Sequence, residues 1–476
     1  MKILLVNPPF YRLLGSHYNA NSLGIAYIAS YLNKNGHDAW LYNADFINEI
    51  DYANQRELFD RFIDYTSYFK NENDPIWDEV TENIIQSSAD WVGYTSYTAN
   101  ITAIDIISRK VKERKPKIKQ VIGGVHATLD HNVLNKLKGI DFSVQREGEQ
   151  AMLELVEGKS PKDIIGVVSR DGKGLCNNGD APIMRIDDLP FPERDKIFGL
   201  TKEEKLMVDI SYICTIRGCP YRCNYCASPF HWKRDKTQYR SPESVISEMR
   251  LLKENYWNRF KKYDYSASAN IGKKSSLKII DNSVVYFVDD VFTVKKDRVK
   301  SILRMIIDQN IKMDWKCEAR TDHLDDEICQ LMAEAGCIRV KLGFESGSDK
   351  VLKDIQKDET KQDMLNGARM LKNAGVPFTA YFMAGFPTET DDDLKETIAF
   401  AKKIEADYYS LSVLAPYFGT KMYYDLIKQG ISLDKKPWEY FFHQSGELMV
   451  NEKIKKSTLN EYLSLNSLNE KGKGYI

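Results

Sequence analysis

Residues 208–226 read VDISYICTIRGCPYRCNYC. A strand-like run is followed directly by Cys219-Pro-Tyr-Arg-Cys223-Asn-Tyr-Cys226, which puts three thiols on one compact loop. Soft thiolates suit an iron–sulfur cubane: three of them take three iron corners and leave the fourth iron open to a chelating molecule. Structural zinc is the competing reading, because Cys214 would complete a four-thiolate set. Against it, Cys214 sits inside the predicted strand, whereas zinc ribbons favour paired CxxC knuckles across a longer spacer. A loop at the carboxyl end of a strand in a β/α array also favours catalysis over a structural role.

Downstream of this loop the pattern is regular. Strand-like segments recur at 208–215, 283–288, 313–318, 339–344, 378–383 and 408–413, each but the last followed by a loop and a helix-like stretch. That predicts a six-unit parallel array, a partial barrel rather than a closed eight. The basic, serine-rich patch from Lys261 to Ser276 interrupts the first crossover and reads as a solvated insertion. Residues after Pro416 read as a mainly helical tail with the aromatic patch WEYFF at 438–442.

Upstream, strand-like runs at 3–6, 39–42, 91–96, 120–124 and 141–144 alternate with helix-length amphipathic stretches, which predicts a doubly wound parallel sheet of about five strands. The predicted domains are 1–145, a connector at 146–205 with turn-forming DGKG, NNGD and LPFPERD, a barrel at 206–415 and the tail at 416–476.

The bulk numbers bound the rest. A chain of 476 residues exceeds the ~250 that one core usually supports. Lys+Arg 67 against Asp+Glu 68 gives a formal charge of -1, so no overall field draws in nucleic acid or an anionic membrane, and a small molecule is the expected substrate. No apolar run approaches the ~18 residues of a membrane helix, and Met1 leads into a strand without a signal-peptide core, so a cytoplasmic location is expected. Eight cysteines, none before Cys176 and four between Cys214 and Cys226, are too few and too clustered for a disulfide scaffold.

The Cys219–Cys226 spacing resembles the CxxxCxxC motif of the radical S-adenosylmethionine (SAM) superfamily. FVDDVFT (287–293), CEARTDHLDDE (317–327), KLGFESGSDKVL (341–352), YFMAGFPTETDDD (381–393) and APYFGTKMY (415–423) look like successive signatures of one large branch of it. The amino-terminal half is similar to the cobalamin-binding domain fused to that branch, through NPP (7–9), LGIAYIASYLNKNGHDAWLYNAD (23–45), GYTSYTAN (93–100), VIGGVHAT (121–128), REGEQ (146–150) and LPFPERD (189–195). The resemblance spans roughly residues 1–425.

This resemblance implies a [4Fe–4S] cluster on Cys219, Cys223 and Cys226. It implies SAM near Tyr225, Asp289, Arg320 and Glu345, with Tyr225 near the adenine and Glu345 at the ribose. It also implies cobalamin near Asn7, Pro8, Thr95, Ser96, Gly123, Gly124, His126 and Glu147. No Asp-x-His-x-x-Gly motif occurs, so no histidine is placed by that motif below the cobalt.

The implied activity is methyl transfer to an unactivated carbon of a small molecule, by way of methylcobalamin and a 5′-deoxyadenosyl radical. A low-potential electron donor such as flavodoxin or ferredoxin would serve it, with no nucleic-acid or membrane partner. A cyclase or rearranging enzyme of the same architecture is the alternative, and a non-catalytic cobalamin or zinc module is more distant. A methylthiotransferase would need cysteines in the amino-terminal domain, which has none.

Overall fold

The computed structural model describes residues 1–16, 19–48, 55–232, 236–257, 284–442 and 446–465. The serine-rich patch Lys261 to Ser276 lies outside these. Two compact units emerge: Met1–Ile210 with Phe230–Trp232 and Tyr417–Phe442, and Ser211–Pro229 with Lys233–Pro416 and His443–Ile476.

The first unit is built on a seven-stranded sheet. Strands β1 (Lys2–Asn7), β2 (Asp38–Asn43), β3 (Trp91–Ser96), β4 (Lys119–Gly124), β5 (Phe142–Val144), β6 (Val167–Arg170) and β7 (Leu175–Asn177) lie in the order β2-β1-β3-β4-β5-β6-β7. The first five pair parallel. Strands β6 and β7 add on antiparallel, which corrects the sequence expectation: residues 146–205 are no connector but extend this sheet. Short runs such as VVSR and LCN between turn signals carry too little periodicity to announce strands.

Both faces of this sheet are covered by helices, as a parallel sheet requires. Leu4, Val6, Val92, Tyr94 and Ile122 face one apolar layer, and Ile3, Leu5, Ala39, Leu41 and Val121 face the other. The helix Pro75–Gln86 starts on Asp74, whose carboxylate accepts the Ile76 N–H at 3.1 Å, with proline at the first helical position.

The fully buried Gln120 side chain ties the first layer together: it donates to the carbonyls of Ser108 (2.8 Å) and Gly139 (2.9 Å) and accepts from the Tyr94 hydroxyl (2.8 Å). With every polar atom partnered, the buried amide adds stability rather than cost.

The second unit centres on a six-stranded sheet of β8 (Tyr212–Ile213), β11 (Val285–Phe287), β12 (Trp315–Ala319), β13 (Cys337–Glu345), β14 (Phe378–Ala384) and β15 (Tyr408–Val413), all parallel and in that spatial order. A small antiparallel pair, β9 (Ile216–Arg217) with β10 (Gln238–Tyr239), follows β8. The expected six-unit partial array is therefore present. The tail is not one region, since 417–442 belongs to the first unit and 446–465 to the second. Within the second, Asn451 donates to the carbonyls of Phe386 and Glu389 (2.6 and 2.8 Å). Among the described residues no helix is long and apolar enough to cross a membrane.

A Cβ added at Gly139 would lie 2.3 Å from the Ser108 carbonyl carbon, whereas one at Gly24 meets nothing within 4 Å. Gly139→Ala should therefore destabilise the first unit by about 2–3 kcal/mol, while Gly24→Ala in the helix Leu23–Lys34 shifts it by less than ~1 kcal/mol. Thermal melts of the two variants compare them directly, and equal melting temperatures would refute this packing.

Candidate functional site

Strands β11 to β15 alternate over most of their length, with Arg339 and Thr379 buried on the second face. One face carries Val285, Phe287, Trp315, Cys317, Val340, Leu342, Phe344, Phe378, Phe382, Leu411 and Val413, all buried. The other carries Tyr286, Lys316, Glu318, Lys341, Glu345, Tyr381, Tyr408 and Ser410, each partly reached by solvent. Functional side chains gather at the carboxyl ends of this polar face.

The three cysteines lie on the loop after β9. Cys219 and Cys223 are buried, Cys226 is half-buried, and all three are free thiols. The loop is fixed by Asn224, whose backbone N–H donates to Ile355 O (3.1 Å) and whose side chain donates to Asp354 O (2.9 Å).

Burial pushes the Cys219 thiol up to about 11 and also raises Cys223 and Cys226. Each pair of these thiols adds repulsion of its own, which marks them as neighbours. Opposing this, Cys219 and Cys226 accept backbone N–H groups from Tyr221 and Ser228, and the Lys357 and Arg320 charges favour thiolate at Cys223. Thiols held beside N–H donors and cations suit iron ligation. Among the described residues no three His, Cys, Asp or Glu side chains close around a single ion. The Cys214 thiol donates instead to the Ile216 carbonyl at 3.2 Å.

Of the four residues expected at SAM, the structure brings Tyr225 and Glu345 close enough that the phenol favours the charged form of the carboxylate. Glu345 closes β13 with φ 63°, beyond a bulge in its pairing with β14, a strained geometry that re-aims a side chain. Gly343 makes room for it: a Cβ there would sit 2.6 Å from Glu345 Oε1. Lys357 Nζ lies 3.8 Å from Glu345 and 3.3 Å from Glu359.

Asp289 and Arg320 are engaged elsewhere. Both Asp289 oxygens are taken, by the Thr215 N–H and hydroxyl and by the Ile216 N–H (2.8 Å), so this carboxylate latches the strand leading into the cysteine loop. Arg320 donates to Asp322 (3.0 and 2.9 Å), to Lys357 O (2.9 Å) and to Asp358 O (3.2 Å), and stacks 3.8 Å over the Tyr221 ring of the cysteine loop. Sequence reading placed both at SAM because they stand at strand ends; their donors and acceptors are committed to the scaffold.

Sequence reading missed Lys357 and Glu359, which look like surface charges in IQKDET but are buried. It also missed the Tyr221–His323–Thr293 chain, in which His323 Nδ1 meets the Thr293 hydroxyl at 3.2 Å and Nε2 meets the Tyr221 hydroxyl. No local pattern marks these, since their partners are distant in sequence.

In the first unit the strand order reverses between β1 and β3, and ligands of doubly wound sheets bind outside the carboxyl ends of strands at such a point. Asn7 ends β1 there and Pro8 follows it, with Asn7 donating to Asn43 (2.9 Å). Thr95 and Gly123 are half-buried on adjacent strands. Ser96 donates to Gly123 O (2.7 Å), and Gly124, at φ 95°, is required because a Cβ would lie 2.7 Å from Ser96 N. Tyr97, just past β3, is 56% exposed, an aromatic surface that sequence reading passed over.

Two expected members are occupied otherwise. Glu147 accepts the Met184 N–H at 2.7 Å. His126 is fully buried between the rings of Phe418 and Trp438, with Nδ1 3.0 Å from the Thr98 hydroxyl and burial pulling it down to about 3. It is a core residue.

Comparison with known proteins agrees with this anatomy. The model of the B12 binding domain matches residues 15–156, and that of the Radical SAM superfamily matches residues 273–401, with the cysteine loop ahead of the second span. The chain is 27% identical over 433 residues to an uncharacterized methyltransferase of Pyrococcus horikoshii, covering 89% of this chain and 82% of that one. It is 25% identical over 444 residues to the anaerobic magnesium-protoporphyrin IX monomethyl ester cyclase of Rubrivivax gelatinosus, covering 90% and 70%. Among solved structures, the radical SAM methyltransferase TsrM of Kitasatospora setae, with tryptophan substrate and a SAM analogue bound, aligns with TM-score 0.66 at 17% identity over 91% of this chain and 77% of that one, a likeness of fold. The chain therefore combines a B12-binding domain with a radical SAM domain that follows it.

Proposed function

We propose that Cys219, Cys223 and Cys226 hold a [4Fe–4S] cluster, that SAM binds beside Tyr225 and Glu345, and that cobalamin binds at the carboxyl ends of β1, β3 and β4. The reaction is methyl transfer to an unactivated carbon of a small molecule. One observation carries this reading: a loop of three neighbouring free thiols follows the first strand of a parallel sheet with a polar face, in a chain that also has a B12-binding domain. The methyltransferase names of the Pyrococcus and Kitasatospora proteins support it.

When bound, these groups supply one-electron cleavage of SAM and a methyl carrier. The chain's own residues do the rest. Asp289 and Arg320 hold the cysteine loop from two sides, fixing the thiols before any ligand arrives. Burial raises the Glu345 carboxyl and the Lys357 ammonium, 3.8 Å away, opposes that rise, and the group offers its oxygens to sugar hydroxyls. A low-potential donor such as reduced ferredoxin or flavodoxin provides the electron. Ring formation is the second reading, favoured by the cyclase of Rubrivivax gelatinosus, whose similarity covers 90% of this chain.

Anaerobic reconstitution should give one cluster per chain. Cys219→Ala, Cys223→Ala or Cys226→Ala should abolish SAM cleavage, while Cys214→Ala changes it by no more than about twofold, since the Cys214 thiol already has a carbonyl partner. Equal loss in all four variants, or zinc in the site, would remove the assignment.

Because His126 is buried in the core, cob(II)alamin bound to this protein should give a paramagnetic resonance spectrum without nitrogen splitting from a protein imidazole; such splitting would contradict the structure.

With methyl-deuterated SAM, the true substrate and a reductant, each product should carry one labelled methyl group and appear with one S-adenosylhomocysteine and one 5′-deoxyadenosine. Unlabelled product with 5′-deoxyadenosine alone would establish the cyclase or rearranging reaction instead.

A further inference from the structure

Seven described residues other than glycine hold a positive φ: Ser88, Arg146, Asn310, Glu345, Gln356, Asp358 and Glu405. Ser88, Asn310, Gln356 and Glu405 close the helices Pro75–Gln86, Lys296–Asp308, Asp349–Asp354 and Asp391–Ile404, where left-handed backbone is the ordinary way to end a helix. The other three do not close helices. Glu345 stands close to Tyr225, and Asp358 lies 3.1 Å from Arg222 of the cysteine loop. The last is Arg146, at φ 64°, two residues past β5. A side chain with a Cβ keeps this conformation only where its surroundings fix it, and such strain gathers at working sites.

The surroundings of Arg146 are explicit. Its N–H donates to the Thr128 hydroxyl (2.8 Å), and its Nε lies 2.8 Å from Asp180. Its Nη1 donates to the carbonyls of Phe230 (3.2 Å) and His231. These carbonyls end the one-turn helix Ser228–His231, and Phe230–Trp232 belong with Arg146 to the first unit. The last carbonyls of a helix have no partner within it, and a cation there is favourable. A single turn does not persist in water by itself, so this one depends on what holds its ends. At its start, the Ser228 hydroxyl donates to Asp290, and the Ser228 N–H favours the charged form of the Cys226 sulfur.

We infer that Arg146 is a positioning residue for the cluster ligand Cys226: by capping the helix Ser228–His231 it holds Ser228, two residues past Cys226, in place. This rests on the reading of the cysteine loop given above. Groups that orient a metal ligand and donate to its sulfur govern how firmly the metal is held. Without the guanidinium the short helix frays from its carboxyl end, and Cys226 gives up its iron corner more readily. The backbone at 146 has the opposite preference, since glycine takes left-handed φ without a Cβ. Arg146→Gly therefore removes the cap while relieving the strain.

The test compares the anaerobically reconstituted full-length chain with its Arg146→Gly, Arg146→Lys and Gly139→Ala variants, by thermal melts and by the rate at which iron is lost to bathophenanthroline disulfonate. Arg146→Gly should melt above Gly139→Ala, which strains the first unit elsewhere, and yet lose iron about fivefold or more faster than the wild type. Gly139→Ala should stay within about twofold of the wild-type rate. Arg146→Lys, which keeps the charge but not the fork, should fall between wild type and Arg146→Gly. Should Arg146→Gly fail to fold, Asp180→Asn is read in its place, with iron lost about twofold or more faster. An unchanged rate in the folded variant, or an equal acceleration in Gly139→Ala, overturns the inference. A wild type that takes up no iron would instead overturn the reading of the cysteine loop, so the two failures are distinguishable.

Discussion

Parallel strands buried on both faces are usually apolar throughout, but the strands of the six-stranded sheet obey a period of two. Trp315, Cys317 and Ala319 point to one side and Lys316 and Glu318 to the other, and the same holds along β13, where Val340, Leu342 and Phe344 alternate with Lys341, Gly343 and Glu345. One face is sealed by aromatic and branched side chains whose burial contributes about 25 cal/mol per Å². The opposite face is then free to carry charge. Every functional assignment in this unit depends on that register, since a slip by one residue would bury Glu318 and Lys341 in the core and expose Phe344.

Charge on a partly dried face must be organised to persist. The rim uses a chain of alternating signs, Glu345, Lys357, Glu359 and Arg320, with Glu359 also accepting the Thr321 N–H at 2.9 Å. Such a network adds little net stability, yet removing one member leaves an uncompensated buried charge, which costs roughly 3–5 kcal/mol. Its value is geometric. It connects the loop after β12, the segment 357–359 and the cysteine loop through Tyr221, so three chain segments distant in sequence are held together.

The parallel strands of both sheets were legible to within a few residues because apolar alternation is a local property, and the cysteine loop was legible because its chemistry depends on spacing within one loop. The division of labour among the acids was not. Asp289 and Glu345 both stand at strand ends, but Asp289 spends its oxygens on Thr215 and Ile216 while Glu345 meets Tyr225 and lies near Lys357. Nothing in the flanking residues separates a latch from a binding group, because the difference lies in partners some 70 residues away. His126 shows the same limit: beside a Gly-Gly turn it reads as a ligand candidate, and only the packing of Phe418 and Trp438 against it reveals a core residue. Strands β6 and β7 escaped because they are short and pair antiparallel at a sheet edge.

The distribution of charge on the polar face bears on how one scaffold can serve different reactions. At the carboxyl end, Tyr225 and Glu345 stand near the cysteines, beside the proposed SAM position. Lys316 and Glu318 on β12 and Arg339 and Lys341 on β13 come from positions that point away from the apolar core. Side chains there can change without disturbing the sealed face, since that face is filled by the alternate residues of the same strands. Period-two alternation therefore lets a single strand serve two faces: Leu342 and Phe344 keep β13 in the core while Lys341 and Glu345 stand on its polar side.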